Sequence, residues 1–296
     1  MVNIALNEVK GNSYEVPEPF IIDEKTGVKR PKHIVPKEKP RGVLPHFTSN
    51  RADNADDKVE ISLSPEDWFL TQASIMACIP VSDTNIIPVE LVDYVNSNFN
   101  TYPSSEMNYY VRDFSHSLLL KNHDPSLAYG FTVDVRPRTV NVKGFELNYI
   151  DILVAVNKHI DSDFAEKIKN QTIKFLSWGH TSGDYYCGVC GEQNGDCVHL
   201  SDMMMRNTPE PAILSGRPYG VIHRFTPEFH VYDVSYLDVR PAYDGAITHK
   251  VMELDKPLKV MVSKKELEDK AVHATCYEEG IKPDSVVSKL FKQLKI

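Results

Sequence analysis

The feature that most constrains this chain is a succession of short apolar segments between residues 115 and 157. "SHSLLLKNHD", "AYGFTVDVRP", "TVNVK" and "FELNYIDILVAVN" are rich in β-branched and aromatic residues and punctuated by Gly, Pro and Asn. Side chains branched at Cβ fit a pleated surface, and the punctuation ends each segment before a long helix can form. A sheet is expected here. Extended segments flank it: "VEISLSPEDWFLTQASIMACIPV" from residue 59, with a buried strand at Phe69 to Ile79, and "GVIHRFTPEFHVYDVSYLDV" from residue 220.

Helices are few. Leu91, Val92, Val95 and Phe99 fall at helical spacing after Pro88, a good first-turn residue, which predicts a short amphipathic helix. "DSDFAEKIKNQ" predicts a second, opened by Asp161 or Ser162 as cap and feeding the strand "TIKFLSW". In the tail, Val287, Leu290, Phe291 and Leu294 form one helical face with lysines opposite, suited to docking on the core or on a partner. The expected fold class is α+β and β-rich, with residues 58–262 as the main domain and 263–296 as a helical C-terminal tail. Of the 296 residues 42% are hydrophobic and 25% charged, enough apolar material for a sizeable core.

Residues 17 to 46 depart from this pattern, with six prolines and little periodicity. Each proline removes an amide donor and biases its predecessor toward extended geometry. Residues 1–57 are therefore read as an extended, proline-rich arm. Lys25 to Arg41 holds seven Lys or Arg against one Glu, so it is either a solvated linker or a contact for nucleic acid or an acidic partner. The whole chain is acidic, with 33 basic against 41 acidic side chains and a net charge of -8, which excludes a surface built to grip phosphate. No specific nucleic-acid partner is expected. There is no apolar run of about 18 residues and no charged-then-apolar leader, so neither a membrane span nor a secretory signal is expected.

Cysteine usage is uneven. Three of the five fall within eleven residues, which suits a metal in a reducing compartment better than a disulfide framework, whereas Cys78 and Cys276 read as buried thiols. Cys187, Cys190, Cys197 and His199 form C-x2-C-x6-C-x-H, with Gly188, Gly191 and Gly195 to let the chain turn back. Four sulfur and nitrogen ligands match tetrahedral zinc, and a closed set leaves no open position for water, so such a site is structural. The alternative is free thiols on a loop. A deaminase is excluded, because no H-x-E partner motif is present.

Ahead of the cysteines, Ser177 is expected to end an apolar strand, "IKFLS", and precedes Trp178 and Gly179. A serine hydroxyl needs a general base within hydrogen-bond reach and a third group to orient that base. His180 is three residues away, but a base usually arrives from another strand, and His199 belongs to the metal set. His123 in "SLLLKNHDPSLAYGF" follows an apolar strand expected in the same sheet, at a turn before the chain resumes as strand.

"LLLKNHDPSLAYGFTV", "IKFLSWGH" and "HVYDVSYLDVRPAYDGAI", in that order, resemble the histidine, serine and closing-strand motifs of the tailed-phage prohead maturation proteases. The resemblance covers about residues 60 to 250. It is closest to a large-phage branch in which a Cys-x2-Cys and Cys-x-His insertion, here 183–200, follows the serine motif. It implies an assemblin-like β-barrel, shared with the herpesvirus assemblins, carrying a zinc-knuckle insertion. It further implies Ser177 as nucleophile, His123 as base, Asp233 as orienting acid where the family usually has glutamate, and an oxyanion hole from the backbone of Trp178 and Gly179. Trp178 replaces a smaller aliphatic residue, and a bulky ring there would line or block a substrate cleft. The implied substrates and partners are phage scaffold, capsid or portal proteins, met in the host cytoplasm inside a prohead or virion, with the chain oligomeric or embedded in the assembly. Leu6-Asn7-Glu8 matches the Leu-x-Glu cleavage form of some relatives. The other reading is a catalytically inactive protease-fold component of the virion.

Overall fold

A computed structural model describes residues 20–22, 29–31, 58–96, 100–181, 184–193, 197–199, 213–214, 217–218, 220–239, 241, 245–275 and 282–294. Within 1–57 these are two short antiparallel strands, β1 (Phe20–Ile22) and β2 (Lys29–Pro31). Leu6-Asn7-Glu8, most of the basic stretch, Phe99, Gly195, Cys276 and the side chain of Val287 lie outside the described residues.

The main sheet is built from the segments that the sequence marks as β-branched. It contains β4 (Trp68–Ile79), β5 (Asn100–Pro103), β6 (Leu118–Lys121), β7 (Gly130–Val142), β8 (Phe145–Asn157), β9 (Leu176–Thr181), β10 (Tyr185–Cys187), β13 (Val221–His223), β14 (His230–Tyr236) and β15 (Ile247–Glu253). The order is β10-β13-β5-β4-β8-β7-β6-β14-β9, with β15 paired to β4. β4 is buried at all twelve positions and β8 at ten of thirteen, so that even Thr71, Gln72, Ser74 and Asp151 are enclosed and neither strand presents one polar, solvated face along its length.

The sheet curls into a half-barrel. Leu176 N–H donates to Ala246 O and Thr248 N–H to Lys174 O, so the start of β9 is stitched to β15. Thr181 and Tyr185, at opposite ends of the strand order, are four residues apart, a reach of at most about 14 Å. Inside the curl lies one cluster that includes Phe69, Phe114, Leu119, Ile152, Val234 and Tyr236. The outer face carries a second, with Trp68, Leu70, Leu118, Leu120, Phe131 and Leu153. That face is covered by β3 (Lys58–Leu63) paired with β16 (Leu258–Ser263), and by α3 (Lys264–Thr275) and α4 (Pro283–Leu294). Leu267, Ala271, Val286, Leu290 and Leu294 are buried there, so the tail's apolar face docks on the core of its own chain. Two two-residue strands, β11 (Ile213–Leu214) and β12 (Arg217–Pro218), pair separately.

Two helical expectations differ in outcome. α2 (Ser162–Lys169) forms as read, with the Asp161 side chain accepting from Phe164 N–H at 3.0 Å. The predicted amphipathic helix after Pro88 is instead a 3-10 helix, Val89–Tyr94, and Val95 is already extended. Val89, Val92 and Val95 are β-branched and lose χ1 freedom in an α-helix, which weakens propagation of so short a segment. A helix not anticipated, α1 (Met107–Asp113), buries Tyr110 and Val111 against the inner cluster. No described helix is long and apolar enough to cross a membrane.

Candidate active site and metal centre

β14 is the central strand of the candidate site, with β6 parallel on one side and β9 antiparallel on the other. Val231, Val234 and Tyr236 all belong to the inner core, a spacing that strict alternation forbids. A bulge between Val231 and Asp233 resets the phase. Asp233 and Ser235 are thereby turned to the outer face, where they are 1% and 0% exposed.

His123 reaches this face from the turn after β6. Asn122 and His123 both have positive φ, 53° and 61°, and Asp124 N–H closes the turn onto Lys121 O at 3.0 Å. Left-handed geometry costs a residue with a Cβ about 1–2 kcal/mol, so this pair is held by its surroundings. Asn122 N–H donates to Tyr236 O at 3.0 Å, Asn122 Nδ2 to Asp238 Oδ2 at 2.8 Å, and Asp238 N–H returns to Asn122 Oδ1 at 2.9 Å. His123 Nδ1 lies 2.9 Å from Asp233 Oδ1. A carboxylate only accepts, so Nδ1 carries the proton and Nε2 keeps its lone pair. Burial alone would lower the His123 pKa, but the hydrogen bond and charge of Asp233 outweigh it and the net shift is upward from 6.5. The imidazole is 37% exposed, so its outer edge is open to an incoming molecule.

Ser177 stands on β9 directly opposite Ser235, with Gly179 opposite Asp233. Directly opposed residues have Cβ atoms about 4.5–5.5 Å apart, so Ser177 is one cross-strand pair from a residue that contacts both Asp233 and His123. Ser177 occurs at the second position of β9 and not at the end of a strand, as the sequence reading had it. Among the described residues its hydroxyl has no hydrogen-bond partner, so the structure joins His123 to Asp233 and leaves Ser177 beside them, unlinked. Gly179 is required by close approach, because a Cβ there would lie 2.3 Å from Asp233 Oδ2 and 2.4 Å from the Tyr232 ring.

Trp178 neither lines nor blocks this face. Its ring points into the curl, 5.7 Å from the Tyr102 centroid and 6.2 Å from Phe114. His180 points the same way, packed between Tyr102, Phe229 and His223. Burial lowers its pKa to about 4 and that of His223 to about 3. His180 is therefore no base for Ser177. The two backbone donors also differ. Leu237 N–H donates to Phe175 O and Leu176 N–H to Ala246 O, so along β9 the amides of odd-numbered residues face β14 and those of even-numbered residues face away. Trp178 N–H points off the β14 side, whereas Gly179 N–H points into the ladder.

Cys187, Cys190, Cys197 and His199 converge: their ligand atoms all lie within 4.8 Å of one another and could hold a metal ion. Cys187 Sγ is 3.7 Å from His199 Nδ1 and receives Val189 N–H at 3.4 Å. The turn depends on two glycines. Gly191 adopts φ 79° and donates to Cys187 O at 2.7 Å, while a Cβ on Gly188 would meet Ile87 at 2.5 Å. Gly188 N–H to Gly220 O at 2.8 Å and Ile87 N–H to Gly188 O at 3.2 Å anchor the knuckle to the rest of the fold. Cys78 is a buried free thiol, apart from this set.

Sequence reasoning missed Ser235, which touches both His123 and Asp233, and the Asn122–Asp238 clamp. The available signals were the D-x-S spacing, which sends both side chains to one face of a strand, and the Asn-His pair at a turn. No protein-family model matches the chain, and no curated protein or solved structure is significantly similar to it.

Proposed function

We propose that this chain is a serine endopeptidase of the prohead maturation type, assemblin-like in fold, which cuts scaffold and capsid proteins during phage head assembly. The observation that carries the reading is the 2.9 Å contact between His123 Nδ1 and Asp233 Oδ1, one cross-strand pair from Ser177. Asp233 holds the imidazole in the tautomer that leaves Nε2 free as a base. Ser177 Oγ bonds to the scissile carbonyl carbon as its proton passes to Nε2, and the carbonyl electron pair moves onto oxygen. Trp178 N–H is the donor available to that oxyanion. Collapse of the tetrahedral species breaks the C–N bond, and the imidazolium protonates the departing amine. Water then gives a proton to Nε2 and its oxygen to the acyl carbon, and Ser177 recovers its proton as the acid product leaves.

The cysteine set serves this site as a structural zinc. Zinc bonds of about 2.3 Å to sulfur and about 2.0 Å to nitrogen imply tetrahedral edges of about 3.5–3.8 Å. The 3.7 Å Cys187–His199 spacing suits those edges. All four positions would be filled by protein, so the metal braces the loop after β9 and takes no part in the chemistry.

A second reading, a structural virion component that keeps the fold without the chemistry, is favoured by the unlinked Ser177 hydroxyl. Co-expression with the cognate scaffold separates the two. Cleavage products that vanish on Ser177→Ala and on His123→Ala support the protease. Intact scaffold beside the wild-type chain, with that chain uncut and stoichiometric in mature particles, supports the structural role.

A further inference from the structure

Ser235 is completely buried, and its hydroxyl uses both of its capacities. It donates to Asp233 Oδ1 at 2.9 Å and accepts from the backbone N–H of His123 at 3.0 Å. Asp233 Oδ1 therefore receives two bonds, from Ser235 Oγ and His123 Nδ1, and Ser235 is bonded to both members of the pair it joins. A buried carboxylate must be hydrogen-bonded to remain charged, and a left-handed histidine must be held against the cost of its backbone. One hydroxyl meets both needs. The Asn122–Asp238 clamp fixes the residue before His123, while the amide of His123 itself is held by Ser235.

We propose that Ser235 is a positioning residue: its hydroxyl sets the His123 imidazole against Asp233 by binding the backbone of one and the carboxylate of the other. The inference deepens the protease reading and rests on it for any consequence in cleavage. The geometric part stands on the triangle of three hydrogen bonds. Simple loss of the Ser235 donor with the geometry intact would leave more charge on Asp233 and keep the His123 pKa up. Loss of positioning lets the ring swing into water and brings the pKa down. The sign of the change distinguishes the two.

The test is nuclear magnetic resonance of the full chain, with the His123 signals assigned by their absence in His123→Gln. The wild type is expected to show a low-field Nδ1–H resonance and a protected His123 amide. Ser235→Ala loses both, and His123 titrates close to the ordinary value of about 6.5. Ser235→Thr, which keeps the hydroxyl, retains both. On scaffold substrate kcat falls about 100-fold in the alanine variant with KM little changed, and recovers in the threonine variant. Should Ser235→Ala not fold, Ser235→Cys, similar in shape but poor at both bonds, carries the same expectations. The proposal is overturned if the Ala or Cys variant keeps the resonance and titration, if Thr behaves as Ala does, or if the wild-type amide exchanges as freely as an exposed one. A wild type that cuts no scaffold defeats the protease reading instead, and the resonance readouts then decide the role of Ser235 alone.

Discussion

Removing the proposed zinc is the perturbation with the most localised expected result. Cys187 and His199 bound a loop of thirteen residues, and closing a loop of about 15 residues withdraws roughly 3 kcal/mol of entropy from the unfolded chain. In a domain of this size 1 kcal/mol moves Tm by about 2–4 °C, so loss of the metal should cost about 6–12 °C. Cys197→Ser is the variant of choice, because Cys197 is partly exposed and little packing is lost with its sulfur. The damage should begin where the knuckle is anchored, at the Gly188–Gly220 and Ile87–Gly188 bonds and the β10–β13 pairing. β8, buried on both faces, should be spared. Metal content measured with thermal unfolding, with and without chelator, gives the magnitude. Hydrogen exchange at 185–191 and 221–223 against 150–156 gives the location. A chain that holds one zinc yet melts at the same temperature without it would refute the bracing role, and so would exchange that rises uniformly.

Three further outcomes follow from the same geometry. Gly179→Ala places a Cβ 2.3 Å from Asp233 Oδ2, so the carboxylate must move; stability should fall by about 1–3 kcal/mol and cleavage by about 100-fold, and an alanine variant that cuts at the wild-type rate contradicts the site. Cleavage needs a neutral Nε2, and the His123 pKa is raised, so the acid limb of kcat/KM should have its midpoint above about 6.5 and fall in Asp233→Asn; a wild-type midpoint below 6.5 would count against the pair. His180 and His223 have folded pKa values of about 4 and about 3, below their unfolded values, so the unfolded chain takes up protons first and their contribution to stability is lost as pH falls from about 6.5 toward 4; urea midpoints at pH 7 and pH 5 that coincide would exclude this.

What the sequence made legible is what local pattern encodes. β4 and β8 announce themselves as segments dominated by apolar, β-branched and aromatic residues, Asp161 or Ser162 as the cap of α2, of which the fold uses Asp161, and the cysteine spacing as a ligand set that the fold brings together. The 3-10 segment was misread because apolar spacing alone cannot weigh three β-branched valines against an α-helix. The direction of Trp178 was invisible for another reason. It depends on which face of β9 meets the core, and that follows from pairing with β14, more than fifty positions along the chain. For Ser235 the D-x-S spacing signals only a shared face with Asp233, and its bond to the His123 amide depends on the pairing of β14 with β6. The association of 118–123, 177–179 and 233–235 is a product of register between distant strands, which no local window contains.

That register explains how an apolar core can specify a polar site. Successive side chains on β9 alternate, so Leu176 and Trp178 enter the curl while Ser177 and Gly179 stay on the outer face. A slip of one residue would drive Ser177 into the core and set the indole against Asp233, exchanging two buried contacts for two clashes. Trp178 packed on Phe114 and Tyr102 thus fixes the position of Ser177 more firmly than any contact Ser177 makes itself. On β14 the same logic needs the bulge at Tyr232, because Val231 and Val234 both serve the core, and only an inserted residue lets a strand that buries Val231 also turn Asp233 and Ser235 outward. The inner packing therefore constrains where the hydroxyl, the carboxylate and the imidazole can be, and leaves the outer edge of His123 exposed beside them.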